Sequence, residues 1–457
     1  MADSWMKNEE QVIPRLYSFI VYRQERFGAL IFNPYLGIEE ELDPIEAFIA
    51  GMCNGCNSCR QIRVETKRRF ALSDNEVGRR ICETVQKLGN TYAIAYRSGS
   101  ESERPKIPDT SVWCDDDPAL SAPRNAIWDV TYRCNLKCRH CLTESGEACK
   151  DELDTPQALK LVDNLAEAGV LYLSLSGGEP LLRPDIVTIL KHIASKNMRV
   201  EIASNGVNIS DKVLNEICAL PVFHVQISID GIGPQHDELR GMQGAFKASC
   251  ASIKKLQEHD IAVSISTTVT SHNIDSLESI ISLAAELGCK GYKAIPFLPA
   301  GRGKENNELA LDLQEHLRLY RTLSSWSQKL EGKMNISTET SFSFLLDNPT
   351  PSCFDNGPVG CSAGYDTLSI GANGVAYPCP FLHDFPIGNL TTSSLRDIWH
   401  NSPLLKTLRT LEKQDLDDPC RSCGYMPHLC RGGCRAAAWL KYGDLKACDP
   451  MCFKSLI

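Results

Sequence analysis

Residues 126–141 read Ala126-Ile-Trp-Asp-Val-Thr131-Tyr-Arg-Cys134-Asn-Leu-Lys-Cys138-Arg-His140-Cys141. Ala126–Thr131 predicts a strand, and the loop behind it carries three cysteines within eight residues. Three thiolates at that spacing can hold three irons of a cubane cluster and leave the fourth iron open. A closed structural zinc site would use four protein ligands, and no fourth is present locally. Zinc or a chance cluster is the plainer alternative, which the surrounding chain disfavours.

From this loop onward the texture alternates between strand and helix. Thr155-Pro156 starts a helix with a cap and a proline at its first position, and Gly169 ends it. Further strands are expected at 170–175, 199–203, 222–229, 262–269 and 292–295, with helical patterns at 185–195, 246–258 and 275–287. Six strands, each followed by a helix, imply a parallel sheet with right-handed crossovers. In such a sheet the loops at the carboxyl ends of the strands are where ligands bind.

The chain has 457 residues, 43% hydrophobic and 23% charged, so it can bury large cores. Its 48 Lys plus Arg against 57 Asp plus Glu give a net charge of −9, no electrostatic basis for binding nucleic acid or an anionic membrane. No apolar run reaches the length of a membrane span. The opening MADSWMKNEE lacks a basic segment followed by an apolar one, which points to a cytoplasmic chain. In that compartment 21 cysteines indicate metal ligation or redox chemistry rather than disulfides.

Later residues give the first loop a specific resemblance. The CxxxCxxC spacing with His140 before the third cysteine is similar to the radical S-adenosylmethionine (SAM) family. Ser176-Gly177-Gly178-Glu179-Pro180, after the second strand, resembles that family's GGEP motif, which contacts the methionine amino group. Asn205 in Ser204-Asn205-Gly206 resembles the ribose-contacting position. Ser228 and Asp230 end the fourth strand, and Arg240 stands where the family binds the SAM carboxylate. The resemblance implies a partial (β/α)6 barrel, a [4Fe–4S] cluster on Cys134, Cys138 and Cys141, and reductive cleavage of SAM to a 5′-deoxyadenosyl radical. Asp237, Glu238 and Lys293 are acid–base candidates that equally suit solvated or structural charges.

Past Asn348 the chain becomes rich in Cys, Gly and Pro, a composition that struggles to bury a core without metals. Cys361, Gly374, Cys379, Cys420, Cys423, Cys430, Cys434 and Cys452 resemble the SPASM domain of radical SAM peptide maturases. One interval is six residues where five is usual. The resemblance implies two auxiliary iron–sulfur clusters. One takes Cys420, Cys423 and Cys430, with Cys452 favoured over Cys448 as its fourth ligand. The other takes Cys361, Cys379 and Cys434, with Cys353 as candidate fourth ligand or an iron open to substrate. Spacing alone also permits two zinc ribbons.

Residues 1–97 more loosely resemble the small winged-helix-like α+β domains that bind a precursor's leader peptide as an added strand. Here 30–32 and 37–41 flank a turn at Asn33-Pro34, and helices are expected at 44–52, 60–70 and 74–88. Residues 98–123 read as a linker, 124–305 as the radical SAM core, 306–347 as a helical connector and 348–457 as the SPASM domain. Cys53, Cys56 and Cys59 at steps of three would share one face of a helix as a metal or redox patch. With no fourth ligand evident, a thiol-rich helix end or Gly/Asn loop is the favoured alternative.

The expected function is therefore a radical SAM/SPASM oxidoreductase that modifies a ribosomally made precursor peptide, served by flavodoxin or ferredoxin. The bond made would be a thioether, a carbon–carbon crosslink or the product of a decarboxylation. Val130–Cys134, Cys141–Ser145, Pro299–Gly303 and Cys430–Cys434 resemble the mycofactocin maturases, with the subtilosin and pyrroloquinoline quinone maturases sharing the architecture. Alternatives are a sulfatase-type maturase of a folded protein, a tetrapyrrole decarboxylase, or a zinc-ribbon interaction protein.

Overall fold

The computed structural model describes residues 12–98, 119–220, 223–338, 342–346 and 360–457. Cα packing divides them into two compact units. The first takes the described residues up to Arg124 with Leu165–Leu171 and Ser195–Arg199, and the second takes the rest.

In the first unit β1 (Val12–Leu16) pairs antiparallel with β5 (Ile94–Ser98), and β2 (Val21–Glu25), β3 (Gly28–Asn33) and β4 (Ile38–Leu42) form an antiparallel meander. Helices α1 (Pro44–Met52), α2 (Cys59–Phe70) and α3 (Asp74–Asn90) follow as expected. Each starts at a reciprocal cap: Asp43 with Glu46, Ser58 with Gln61, and Ser73 with Glu76. The expected hairpin is β3–β4.

Cys53, Cys56 and Cys59 do not share a helix face. Cys53 caps the end of α1, Gly55 at φ +78° turns the chain, and Cys59 opens α2. Cys53 and Cys59 are buried among Phe48, Met52, Ile62 and Leu88, and Cys53 Sγ donates to the Ile49 carbonyl at 3.2 Å. They are core thiols.

The second unit holds a ten-stranded sheet in the order β12-β11-β10-β9-β8-β7-β6-β13-β14-β15. Its first six strands in sequence are β6 (Asn125–Thr131), β7 (Tyr172–Gly177), β8 (Arg199–Ser204), β9 (Phe223–Ser228), β10 (Ala262–Val269) and β11 (Gly291–Pro296). Between them run α4 (Thr155–Ala168), α5 (Ile186–Ser195), α6 (Asp211–Cys218), α7 (Pro234–Arg240), α8 (Ala245–Glu258) and α9 (Leu277–Glu286). The pairs β6–β7, β8–β9, β9–β10 and β10–β11 are parallel. This is the expected α/β architecture.

Sequence reading missed the outer strands. β12 (Asn335–Thr338) follows helix α10 (Leu313–Lys329) and pairs parallel with β11. β13 (Thr367–Ile370) pairs parallel with β6, and β14 (Val375–Tyr377) and β15 (Gly388–Asn389) continue antiparallel. The Cys-rich region therefore extends the same sheet. It also contributes α11 (Leu395–Asn401), α12 (Pro403–Arg409) and α13 (Arg435–Tyr442).

Alternation sorts the central strands into two faces. Leu173, Leu175, Ile202, Val225, Ile227 and Ile265 are buried on one. The other is polar: Ser176 lies in register with Asp129, Glu201 with His224, Gln226 with Ser264, and Ser266 with Lys293. Among the described residues no helix is long and apolar enough to cross a membrane.

Candidate active site

The loop after β6 is held from several sides. Tyr132 O accepts Gly146 N–H at 3.0 Å, and Cys134 N–H donates to Gly146 O at 2.8 Å. Arg302 donates to Cys138 O at 3.0 Å and to Ser145 O at 2.7 Å. Its neighbour Gly301 lies at φ +54°, where a Cβ would come within 2.1 Å of Leu142 O. The Pro299–Gly303 segment thus closes against the cysteine loop, a contact invisible in the sequence.

Donors converge on the thiols themselves. Cys134 Sγ accepts from Leu136 N–H at 3.4 Å and from Asn205 Nδ2 at 3.9 Å. Arg240 Nη1 donates to Cys138 Sγ at 3.8 Å, and Cys141 Sγ lies 3.7 Å from Thr143 Oγ1. Burial pushes the Cys134 thiol up to about 11. It also raises Cys138, against the opposing charge of Arg240. Ligation must therefore displace protons, and donors aimed at sulfur favour the thiolate that remains.

The glycine motif docks on the end of β6. Gly178 N–H donates to Thr131 O and Glu179 N–H to Arg133 O, each at 2.8 Å. A Cβ at Gly178 would stand 2.2 Å from Arg133 O, so only glycine permits this approach. Glu179 is 2% exposed and turned inward. Its carboxylate accepts Asn205 N–H at 2.8 Å, Ser204 Oγ at 3.0 Å and Leu181 N–H at 3.1 Å. Burial, opposed by these donors, pushes it up to about 7. These bonds tie the motif to the end of β8. Pro180 is buried and starts a 3₁₀ turn, Asn205 Nδ2 also bonds Asn135 Oδ1 at 2.8 Å, and Ser228 ends β9 half-buried.

Asp230 is fully buried, with Oδ2 2.6 Å from Arg240 Nε and 3.1 Å from His140 Nε2. Burial would raise its pKa, but Arg240 and then His140 hold the carboxyl well below the usual carboxylate range. His236 Nδ1 accepts Asp230 N–H at 3.0 Å, and burial followed by Arg240 pushes this imidazole down to about 4. His140 is 9% exposed and its Nδ1 has no hydrogen-bond partner. The donor set fits an iron–sulfur cluster: three thiols at strand ends, hydrogen-bond donors aimed at two of them, and a buried imidazole nitrogen left for a ligand.

Two further groups of thiols form in the Cys-rich region. Cys434 is half-buried, within electrostatic reach of Cys361 and Cys379. In the other, Cys420 N–H donates to Cys448 Sγ at 3.4 Å, and Cys430 and Cys452 lie close to Cys423. Lys454 Nζ donates to Cys423 Sγ at 3.2 Å. The turn between Cys430 and Cys434 runs through Gly432 and Gly433 at φ +93° and +75°, and Asp449 accepts Cys434 N–H at 2.5 Å. Arg435 braces it by donating to the carbonyls of Gly432, Leu445 and Ala447. Cys353 lies outside the described residues. Among the described residues no three Cys, His, Asp or Glu side chains converge on one ion-sized point; thiols that each take one iron of a cubane surround a volume instead.

One residue escaped sequence reading. Asp129, in β6, is 4% exposed, and burial alone pushes its carboxyl up to about 7. Tyr132 and Tyr377 lie close enough for its charge to raise both phenols, although burial raises each of them more. The available signal was a lone charge inside an apolar strand.

Residues 128–284 match the model of the radical SAM superfamily, and 361–424 match that of the SPASM iron–sulfur cluster-binding domain. The chain is 31% identical over 356 residues to an AdoMet-dependent heme synthase of Methanosarcina barkeri, covering 73% of this chain and 97% of that one. It is 33% identical over 339 residues to the mycofactocin maturase MftC of Mycobacterium ulcerans, covering 73% and 88%. The fold is similar to that of Streptococcus suis SuiB bound to the precursor peptide SuiA, with a TM-score of 0.72, 19% identity, and 95% and 98% of the two chains covered. Members of the family pair a [4Fe–4S] cluster with SAM, and SPASM domains bind auxiliary clusters. The chain belongs to the radical SAM/SPASM family of iron–sulfur enzymes.

Proposed function

We propose that this enzyme modifies a ribosomally made precursor peptide. The observation that carries the reading is the first unit. The SuiB likeness covers 95% of the chain, and the remaining 5% is too short to leave that unit out, whereas the heme synthase and MftC matches cover 73%. The unit offers the sheet edges β2 and β4 for an added peptide strand. Tyr17, Tyr35, Leu36 and Tyr92 stand exposed on it, with Tyr17 and Tyr35 both packed on Phe19. Such aromatic surface suits a peptide with apolar anchors.

Within the second unit Cys134, Cys138 and Cys141 hold the SAM-binding cluster. Bound there, the cluster and SAM supply a 5′-deoxyadenosyl radical that takes a hydrogen atom from the substrate. The chain's own contribution is placement. Gly177 and Gly178 let the backbone approach the cofactor, Glu179 fixes that loop, and Asn205, Ser228 and His140 line the same end of the sheet. Cys361, Cys379 and Cys434 hold one auxiliary cluster. Cys420, Cys423, Cys430 and Cys452 hold another; Cys448, the alternative fourth ligand, bonds Cys420 N–H and Asp417 O. A flavodoxin or ferredoxin in the cytoplasm supplies the electron.

Heme synthesis is the second reading, favoured by the 31% identity across 97% of that relative. Coexpression with short peptides encoded beside the gene, followed by mass spectrometry, separates the two. A peptide that changes mass only with active enzyme, and whose binding weakens at least tenfold in Tyr35→Ser/Leu36→Ser, supports maturation. Unchanged peptides and an unaffected first-unit variant would favour the alternative.

A further inference from the structure

His140, Asp230 and Arg240 come from three separate segments and meet beneath Cys138. Asp230 is held on every side. Its Oδ1 accepts Thr268 N–H at 2.8 Å, and its backbone carbonyl accepts Asn273 Nδ2 at 2.8 Å. The same Asn273 nitrogen bonds Thr268 O at 2.9 Å, locking the ends of β9 and β10 together. Helix α7 is fixed to the cysteine loop as well: Arg139 N–H donates to Leu239 O at 3.0 Å, and a Cβ at Gly241 would stand 2.8 Å from Lys137 O. A carboxylate this buried is stable only when paired, and its Oδ2 is committed to Arg240 and His140. What it does is place a guanidinium, whose far nitrogen lies 3.8 Å from Cys138 Sγ.

We propose that the buried Asp230–Arg240 pair sets the reduction potential of the SAM-binding cluster: Arg240 beside Cys138 raises it, and the Asp230 carboxylate behind Arg240 offsets part of that rise. The inference rests on the assignment of Cys134, Cys138 and Cys141 as that cluster's ligands. A cation beside a ligating thiolate stabilises the more negative, reduced state, and the carboxylate behind it partly cancels this effect. Both act at full strength because neither is open to solvent. The clamp fixes the balance before SAM arrives. An arginine serving only the SAM carboxylate would leave the SAM-free cluster untouched.

The test is an anaerobic redox titration of the full-length protein without SAM, followed by electron paramagnetic resonance. The cluster is identified afterwards as the one whose spectrum SAM perturbs, and the other clusters serve as internal references. Relative to wild type, Arg240→Gln should lower the potential, Arg240→Lys should restore most of it, and Asp230→Asn should raise it. Iron content and the reference potentials should stay constant. Equal potentials in wild type and Arg240→Gln, or shifts of the same sign in Arg240→Gln and Asp230→Asn, would overturn the proposal. If Asp230→Asn fails to load iron, the two Arg240 variants decide it alone. A wild-type protein with no SAM-responsive cluster would instead remove the ligand assignment, which is a separate failure.

Discussion

Replacing Asp129 by Asn should have little effect on stability at pH 5 and should stabilise the protein at pH 8. The wild-type carboxyl is buried in β6 and is pushed up to about 7 by burial alone. In the unfolded chain it titrates near 4. The folded state therefore favours the protonated form: the stability this gives is complete below about pH 4 and is lost as pH rises to about 7. A difference of about three pKa units corresponds to roughly 4 kcal/mol in full, of which about 2.5 kcal/mol falls between pH 5 and pH 8. Asn keeps the shape and cannot ionise, but it buries an unpaired amide at a cost of about 1–2 kcal/mol. The variant should thus be about as stable as wild type at pH 5 and more stable by roughly 2–3 kcal/mol at pH 8. For a unit of roughly 320 residues the unfolding entropy is about 0.7 kcal/mol/K, so the Tm difference should change by roughly 4 °C across that range. Scanning calorimetry of cluster-loaded protein, at one scan rate under anaerobic conditions, reads it directly. A Tm difference that stays constant from pH 5 to pH 8 would show that Asp129 does not carry a buried proton.

Gly178→Ala should cost more than about 2 kcal/mol and weaken SAM binding, because the new methyl meets a backbone carbonyl that cannot move aside; isothermal titration with SAM and thermal unfolding check both effects. Arg302→Ala removes two hydrogen bonds to the cysteine loop, worth about 2–3 kcal/mol together, and should speed loss of the SAM-binding cluster to a chelator, followed by absorbance. Cys452→Ser should lower the iron content while Cys448→Ser leaves it near wild type; the reverse pattern would exchange their roles.

The cluster loop was legible because its chemistry is local: three cysteines in eight residues, then a glycine motif one strand later. The central strands were legible by alternation and the helix starts by their caps. What was hidden depends on distant partners. β1 and β5 lie about 80 residues apart in sequence, and β12 to β15 are too short to show a period of two. The thiols at Cys53–Cys59 follow the favoured helix-end and loop reading: Gly55 turns the chain between two helices, so the three-residue step does not mark one helix face. Asp230 looked like a cofactor contact at a strand end. Its contacts with His140, Thr268 and Arg240 come from distant segments and leave no trace in the sequence.

The pairing of β13 with β6 has a consequence for the molecule's life without iron. The strand that delivers the SAM-site cysteines has β7 on one side and depends on the Cys-rich region for a partner on the other. Should that region come apart when cells are short of iron or sulfide, β6 would present a free row of amide and carbonyl groups. Such a row invites pairing with another chain. Failed assembly of the distant clusters would then be felt as aggregation or proteolysis of the whole enzyme, so that incompletely loaded copies are cleared.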